Sequence, residues 1–153
     1  MSYDSFKGDL RDLYQELILD HNQNPQNFRS MENANRTAEG FNPLCGDQLM
    51  IYADVNNDVI QDISFLGSGC AISKAATSIM TTTLKGKTIA ETNDLFDAYH
   101  KMVTSGSNNG QDMGKLSVME GVHKYPSRVK CAILCWYTLK NALEEKHKTA
   151  VTE

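Results

Sequence analysis

The sequence contains no apolar run approaching the roughly 20 residues that a bilayer-spanning helix needs. Met1 to Asp12 is polar and carries no signal-peptide apolar block, so the expected compartment is the cytoplasm. Positive charge is sparse as well: 15 Lys and Arg stand against 19 Asp and Glu, for a net charge of −4, with no cluster of neighbouring cations. That balance argues against nucleic acid and against a membrane surface as partners. There is no Cys-x-x-Cys knuckle, no internal repeat and no linker between two blocks of sequence. The 153 residues suffice for one hydrophobic core without reaching the length at which cores split, so one domain over 1–153 is expected, frayed at 1–5 and 147–153.

What is present is four cysteines, Cys45, Cys70, Cys131 and Cys135. In a reducing compartment these are thiols or metal ligands rather than disulfides, which makes cysteine chemistry the first place to look for function.

Hydrophobic periodicity places them. Leu10, Leu13, Tyr14, Leu17 and Ile18 share one face of a first helix, which Asn22 to Pro25 ends. Residues 36–42 and 48–55 alternate as strands joined across Asn42 to Asp47, and Ile60, Ile63 and Phe65 mark a third after the Asn57-Asp58 turn. After Gly67-Ser68-Gly69 the period changes: Ile72, Ala75, Ala76, Ile79 and Met80 form a helical stripe, with Cys70 just before it. Thr88 and Glu91 have capping-box spacing and open a helix that buries Leu95, Phe96, Tyr99, Met102 and Val103. Gly106 to Gly110 is a polar loop, and Pro126 suits the first turn of a last helix carrying Val129, Ala132, Ile133, Trp136 and Leu143. The pattern predicts an α+β fold, a three-stranded antiparallel sheet covered by helices, with any metal site at one end.

Zinc takes four ligands in a tetrahedron and accepts thiolate or carboxylate, so three cysteines and one aspartate complete a site. Cys45 and Asp47 flank Gly46 in a turn, which lets both side chains reach one point while the glycine adopts a conformation other residues resist. Cys70 at a helix N-terminus faces free N–H groups and the positive end of the helix dipole, which favours thiolate. Cys131 and Cys135 are one turn apart on the same side of the last helix, and spacing does not choose between them.

Each feature has a plainer reading. Free cysteine is among the most buried residue types and often only fills space, which suits Cys135 beside Trp136 better than Cys45 in its turn. Asp47 could simply cap that turn. For His21 at a helix end and His123 in a polar connection, a dipole contact or solvent exposure outweighs metal binding. His100 and His147 read as surface residues of helices.

The segments Asn42-Pro43-Leu44-Cys45-Gly46-Asp47, Gly67-Ser68-Gly69-Cys70-Ala71-Ile72-Ser73 and Arg128-Val129-Lys130-Cys131-Ala132 together resemble the three cysteine motifs of the IscU, NifU and SufU family of iron–sulfur cluster assembly proteins. Leu13-Tyr14 and Ile18-Leu19-Asp20-His21 extend the likeness over nearly the whole chain, in the family's order. The resemblance implies Cys45, Asp47, Cys70 and Cys131 as metal ligands, and so favours Cys131 over Cys135. The cluster-scaffold branch carries histidine directly before its third cysteine. Lys130 stands there in this chain, and a protonated ammonium cannot coordinate a metal. The connection from about Thr104 to Tyr125 resembles the insertion of SufU-type members, in which zinc occupies the site and a SufS-type cysteine desulfurase supplies sulfur.

By that likeness, a histidine of the desulfurase takes a place on zinc and frees Cys45 as persulfide acceptor, making the chain a zinc-dependent sulfurtransferase. The implied alternative is a scaffold that builds an iron–sulfur cluster and delivers it to apoproteins or an assembly complex. A third reading makes the metal purely structural. Arg128 and Lys130 would offset the anionic site or meet an acidic partner, against the plainer reading of a solvated helix face.

Overall fold

The alternating segments pair as the periodicity predicts, and one face of the resulting sheet carries the core. The computed structural model describes residues 15–107, 110–146 and 149–152. Helix α1 is described over 15–23, and strands β1 (Arg36–Asn42), β2 (Asp47–Asn56) and β3 (Val59–Ser68) follow as an antiparallel meander. Then come α2 (Ala71–Leu84), α3 (Ile89–Ser105), a 3-10 segment (Gly114–Lys124), α4 (Pro126–Leu143) and a two-residue strand β4 (Ala150–Val151). The expected fraying of residues 1–5, 147 and 148 and Glu153, and the position of His147, lie outside the described residues.

Among the described residues, helices cover one side of the sheet. Leu49, Ile51, Ala53 and Val55 of β2 and Ile63 and Phe65 of β3 are buried beneath α2 and α4, while α3 packs behind on α4. There Tyr99 stacks on Trp136 with ring centroids 4.9 Å apart and donates its hydroxyl to Ala132 O at 2.8 Å. The Thr88–Glu91 capping box is present in both directions, and Pro126 occupies the first turn of α4. α2 is rich in Ser and Thr yet lies in the core. Thr77, Thr81, Thr82 and Thr83 turn their hydroxyls back onto carbonyls of the helix itself, so these four bury no bare donor.

Three expectations need correction. The sheet has four strands in the order β3-β2-β1-β4, because Ala150 and Val151 pair in parallel with Gly40 and Phe41, and Thr152 N–H donates to Phe41 O at 3.1 Å. The predicted fraying of this tail therefore fails over 150–152: unpaired backbone groups on the β1 edge are a template that even a two-residue strand satisfies. In the connection before α4, Met113, Leu116, Met119 and Val122 are buried at every third position, the repeat of a 3-10 turn, with Val118 buried beside them. His21 is buried, and its Nδ1 meets Ser78 Oγ at 2.7 Å, pinning α1 to α2. That oxygen also accepts from Gln26 N–H at 2.8 Å, and burial holds the imidazole below its ordinary pKa. His100 rests against Phe96, and His123 Nδ1 lies 2.6 Å from Glu120 O within its own turn.

Candidate metal centre

Three chain connections converge at one end of the sheet. Asn42 and Asp47 are the last paired residues of the β1–β2 hairpin, so 43–46 form a four-residue tip that carries Cys45. Gly46 there has φ 73°, the left-handed conformation that glycine adopts without strain. The β3–α2 joint brings Cys70, which is the N-cap of α2: its Sγ accepts from Ser73 N–H at 3.4 Å. The second turn of α4 brings Cys131.

Cys45, Asp47 and Cys131 form one group, with a ligand atom from each lying within 4.8 Å of the others. Cys131 Sγ–H donates to Cys45 Sγ at 3.1 Å. Cys131 and Asp47 are fully buried, whereas Cys45 is partly exposed at the hairpin tip. Cys70, expected as the fourth ligand, lies outside this group. Its backbone N–H donates to Asp47 Oδ1 at 2.9 Å, and its thiol is electrostatically linked to that of Cys131. Gly69 makes that approach possible, because a Cβ there would overlap the Asp47 carboxylate.

The thiols do not titrate alike. The interaction with Cys131, opposed by burial and helped by Ser73 N–H, lowers the Cys70 thiol to about 6. Cys131 is driven far upward by its interaction with Cys70, by burial and by its bond to Cys45. Deeper on α4, Cys135 is pushed up to about 12 by burial, with its Sγ against Ala132 O at 3.8 Å. The structure thus separates the two cysteines that helical spacing left equal. Arg128 Nη1 lies 4.0 Å from Cys45 Sγ, and its pKa is raised by hydrogen bonding to Cys131 and by the surrounding thiols. Lys130 contributes its backbone, whose carbonyl accepts from Thr152 Oγ1 at 3.4 Å.

The donor set suits zinc. Bonds of about 2.3 Å to sulfur in a tetrahedron put neighbouring sulfurs about 3.8 Å apart. The Cys45 and Cys131 sulfurs, 3.1 Å apart, are close enough for both to reach one ion.

Asn42 was not singled out by the sequence. It is fully buried, and its Nδ2 donates to Asp47 Oδ2 at 3.1 Å and to Cys131 Sγ at 3.5 Å, while its Oδ1 accepts from Leu44 N–H at 3.2 Å. An Asn before proline reads as a turn former; the signal that finds it is its cross-strand pairing with Asp47.

Among the described residues, no helix is long and apolar enough to cross a membrane. The sequence matches the NifU-like N terminal domain over residues 13–132. It is 33% identical over 143 residues to the zinc-dependent sulfurtransferase SufU of Bacillus subtilis, covering 93% of this chain and 97% of that protein. It is 35% identical over 136 residues to the iron–sulfur cluster assembly scaffold protein IscU of Streptococcus pyogenes, covering 88% of this chain and 85% of that one. A crystal structure from Fervidobacterium islandicum AW-1, assigned as a SUF-system cluster assembly scaffold, superposes with a TM-score of 0.77 at 36% identity, covering 84% of this chain and 94% of its own. Cysteines carried by a hairpin tip, a helix cap and a second helix, on a sheet of this order, thus accompany the sequence match: the chain belongs to the NifU-like N-terminal domain family of iron–sulfur cluster assembly proteins.

Proposed function

We propose that this chain is a zinc-dependent sulfurtransferase that accepts persulfide sulfur from a SufS-type cysteine desulfurase in the cytoplasm. Cys45, Asp47, Cys70 and Cys131 hold the zinc, and Cys45 is the residue that receives sulfur. The observation that carries this reading is the position of Cys45. Within the group of Cys45, Asp47 and Cys131 it is the partly exposed member, on a hairpin tip, with a guanidinium 4.0 Å from its sulfur. When bound, zinc holds thiols as thiolates without redox chemistry of its own.

The chemistry of the chain's own residues follows from thiol–disulfide exchange. The Cys45 thiolate attacks the outer sulfur of the partner's cysteine persulfide. A new Cys45 Sγ–S bond forms, the partner's S–S bond breaks, and the partner's cysteine leaves as thiolate, so no external oxidant or reductant is required. Arg128 offsets the negative charge that stays on the transferred sulfur. Asp47 and Cys131, both buried, remain in place while the tip residue reacts. Leu44 and Tyr125 lie 61% and 62% exposed on the connections that carry the site, and large apolar side chains left in water support docking of a partner there.

Cys45→Ala should keep its fold and abolish stimulation of cysteine consumption by the desulfurase. Mass spectrometry of the parent protein after turnover should find one extra sulfur on Cys45. Full stimulation by the variant would sink the proposal. The relative named as a scaffold, at similar identity, supports a second reading in which the same thiols assemble a cluster for apoproteins. Reconstitution yielding a stable cluster that transfers to an apoprotein would favour it.

A further inference from the structure

We infer that Asn42 is a positioning residue, holding Asp47 and Cys131 in coordinating geometry independently of the hairpin tip that carries Cys45. The inference rests on the reading that these side chains hold zinc. All three polar contacts of the Asn42 amide fall inside the site, and they divide by role. Oδ1 accepts from Leu44 N–H at 3.2 Å and shapes the tip, whereas the two Nδ2 hydrogens go to Asp47 Oδ2 at 3.1 Å and Cys131 Sγ at 3.5 Å. The orientation of the amide follows from its partners, since a carboxylate can only accept and a backbone N–H can only donate.

The arrangement fits a ligand set from which one member departs. Asp47 and Cys131 come from different elements, β2 and α4, and 84 positions separate them in sequence, so no local geometry fixes their spacing. Asn42 bridges them directly from the end of β1, where strand pairing with Asp47 fixes its backbone. Asp47 is held from its other side by the Cys70 N–H at 2.9 Å. A shift of Cys45 breaks neither of these bonds. Ligating carboxylates and thiolates keep their orientation through such outer hydrogen bonds, and losing one typically costs about 10–100-fold in metal affinity.

The test compares Asn42→Leu, which nearly fills the space but has no polar atom, with Asn42→Ser, which is smaller but retains a hydroxyl donor. Zinc affinity is read by chelator competition, coordination by the visible spectrum of the cobalt(II) form, and folding by thermal melting of metal-free protein. A positioning role predicts that Leu weakens zinc binding about 10–100-fold and alters the cobalt spectrum, with Ser intermediate. A merely space-filling role predicts the reverse order, with Leu closer to the parent protein in both affinity and melting. That order, or a Leu variant with parental affinity and spectrum, overturns the inference. A Leu variant that folds only with metal keeps the test valid, because its cobalt spectrum is then read in the folded state. A parent protein that takes up no zinc overturns the metal reading and this inference together, whereas a parent that binds zinc but accepts no sulfur overturns only the transfer mechanism.

Discussion

Cys131 and Cys135 lie one turn apart on α4, both sealed from solvent and both with raised thiol pKa values, yet their neighbours differ. Cys135 meets the core: its sulfur touches the Ala132 carbonyl, and burial drives its thiol up to about 12. Cys131 meets the end of the sheet, where it contacts the sulfur of Cys45 and the amide of Asn42 and is electrostatically linked to Cys70. Burial by itself therefore does not decide what a cysteine does; the number of polar groups enclosed with it does. A buried thiol among carbon stays protonated and inert. A buried thiol among other donors holds its proton only until a divalent cation displaces it.

The comparison breaks most sharply under serine substitution. Cys131→Ser should weaken zinc binding by more than the about 10–100-fold expected from losing a supporting hydrogen bond. Cys135→Ser should leave zinc affinity unchanged and cost about 1–3 kcal/mol of folding stability through its buried hydroxyl. Equal zinc affinities in the two variants, measured by the same competition, would erase the distinction drawn between the two turns.

Stripping zinc should produce the next largest effect. With free zinc at 1,000 times its Kd, binding adds about 4 kcal/mol to the folded state. At about 2–4 °C per kcal/mol for a chain of this size, chelation should lower the melting temperature by about 8–16 °C. An unchanged melting curve would remove the metal from the account of stability.

Thiol reactivity in metal-free protein sharpens the contrast further. Cys70 has its pKa lowered to about 6 from an ordinary 9.0, so its alkylation should rise as pH increases through about 6 and level off well before pH 9. Cys135 should remain unmodified over that whole range. Peptide mapping after brief alkylation reads both, and a Cys70 that becomes reactive only near pH 9 contradicts the environment described for it.

The smallest effect belongs to His21, whose burial lowers its pKa from 6.5. A depressed value means that the unfolded chain binds the proton more readily. Stability is thus complete above pH 6.5 and declines as pH falls below it, by about 1.4 kcal/mol at most for each unit of difference in pKa. His21→Gln should flatten that decline in denaturant titrations between pH 5 and about 7.

Local patterns announced most of the architecture. Alternation marked β1 to β3, the Thr88–Glu91 spacing marked the start of α3, and Pro126 marked the start of α4, because each of these signals resides within a few neighbouring residues. What stayed hidden depends on distant partners. β4 is two residues long and gains its hydrogen bonds from a strand more than a hundred positions away, so no periodicity can reveal it. The burial of His21 depends on Ser78, 57 positions on. The grouping of Cys45 with Cys131 spans 86 positions, and only the fold could separate Cys131 from Cys135. Asn42 was hidden for a different reason: its turn-forming role is real, as the bond to Leu44 N–H shows, and it masks the two bonds made by the other end of the same amide.

The hairpin tip has a consequence for how sulfur could travel. Cys45 is two residues from Asp47, whose backbone is locked into the sheet, and a fully extended chain covers only about 3.6 Å per residue. The thiol is therefore on a leash of about 7 Å. A cargo tied so short cannot be swung from one face of the molecule to another. If the chain carries sulfur as proposed, donor and recipient must each come to the same spot, one leaving before the other arrives, and traffic through the protein becomes a queue rather than a relay.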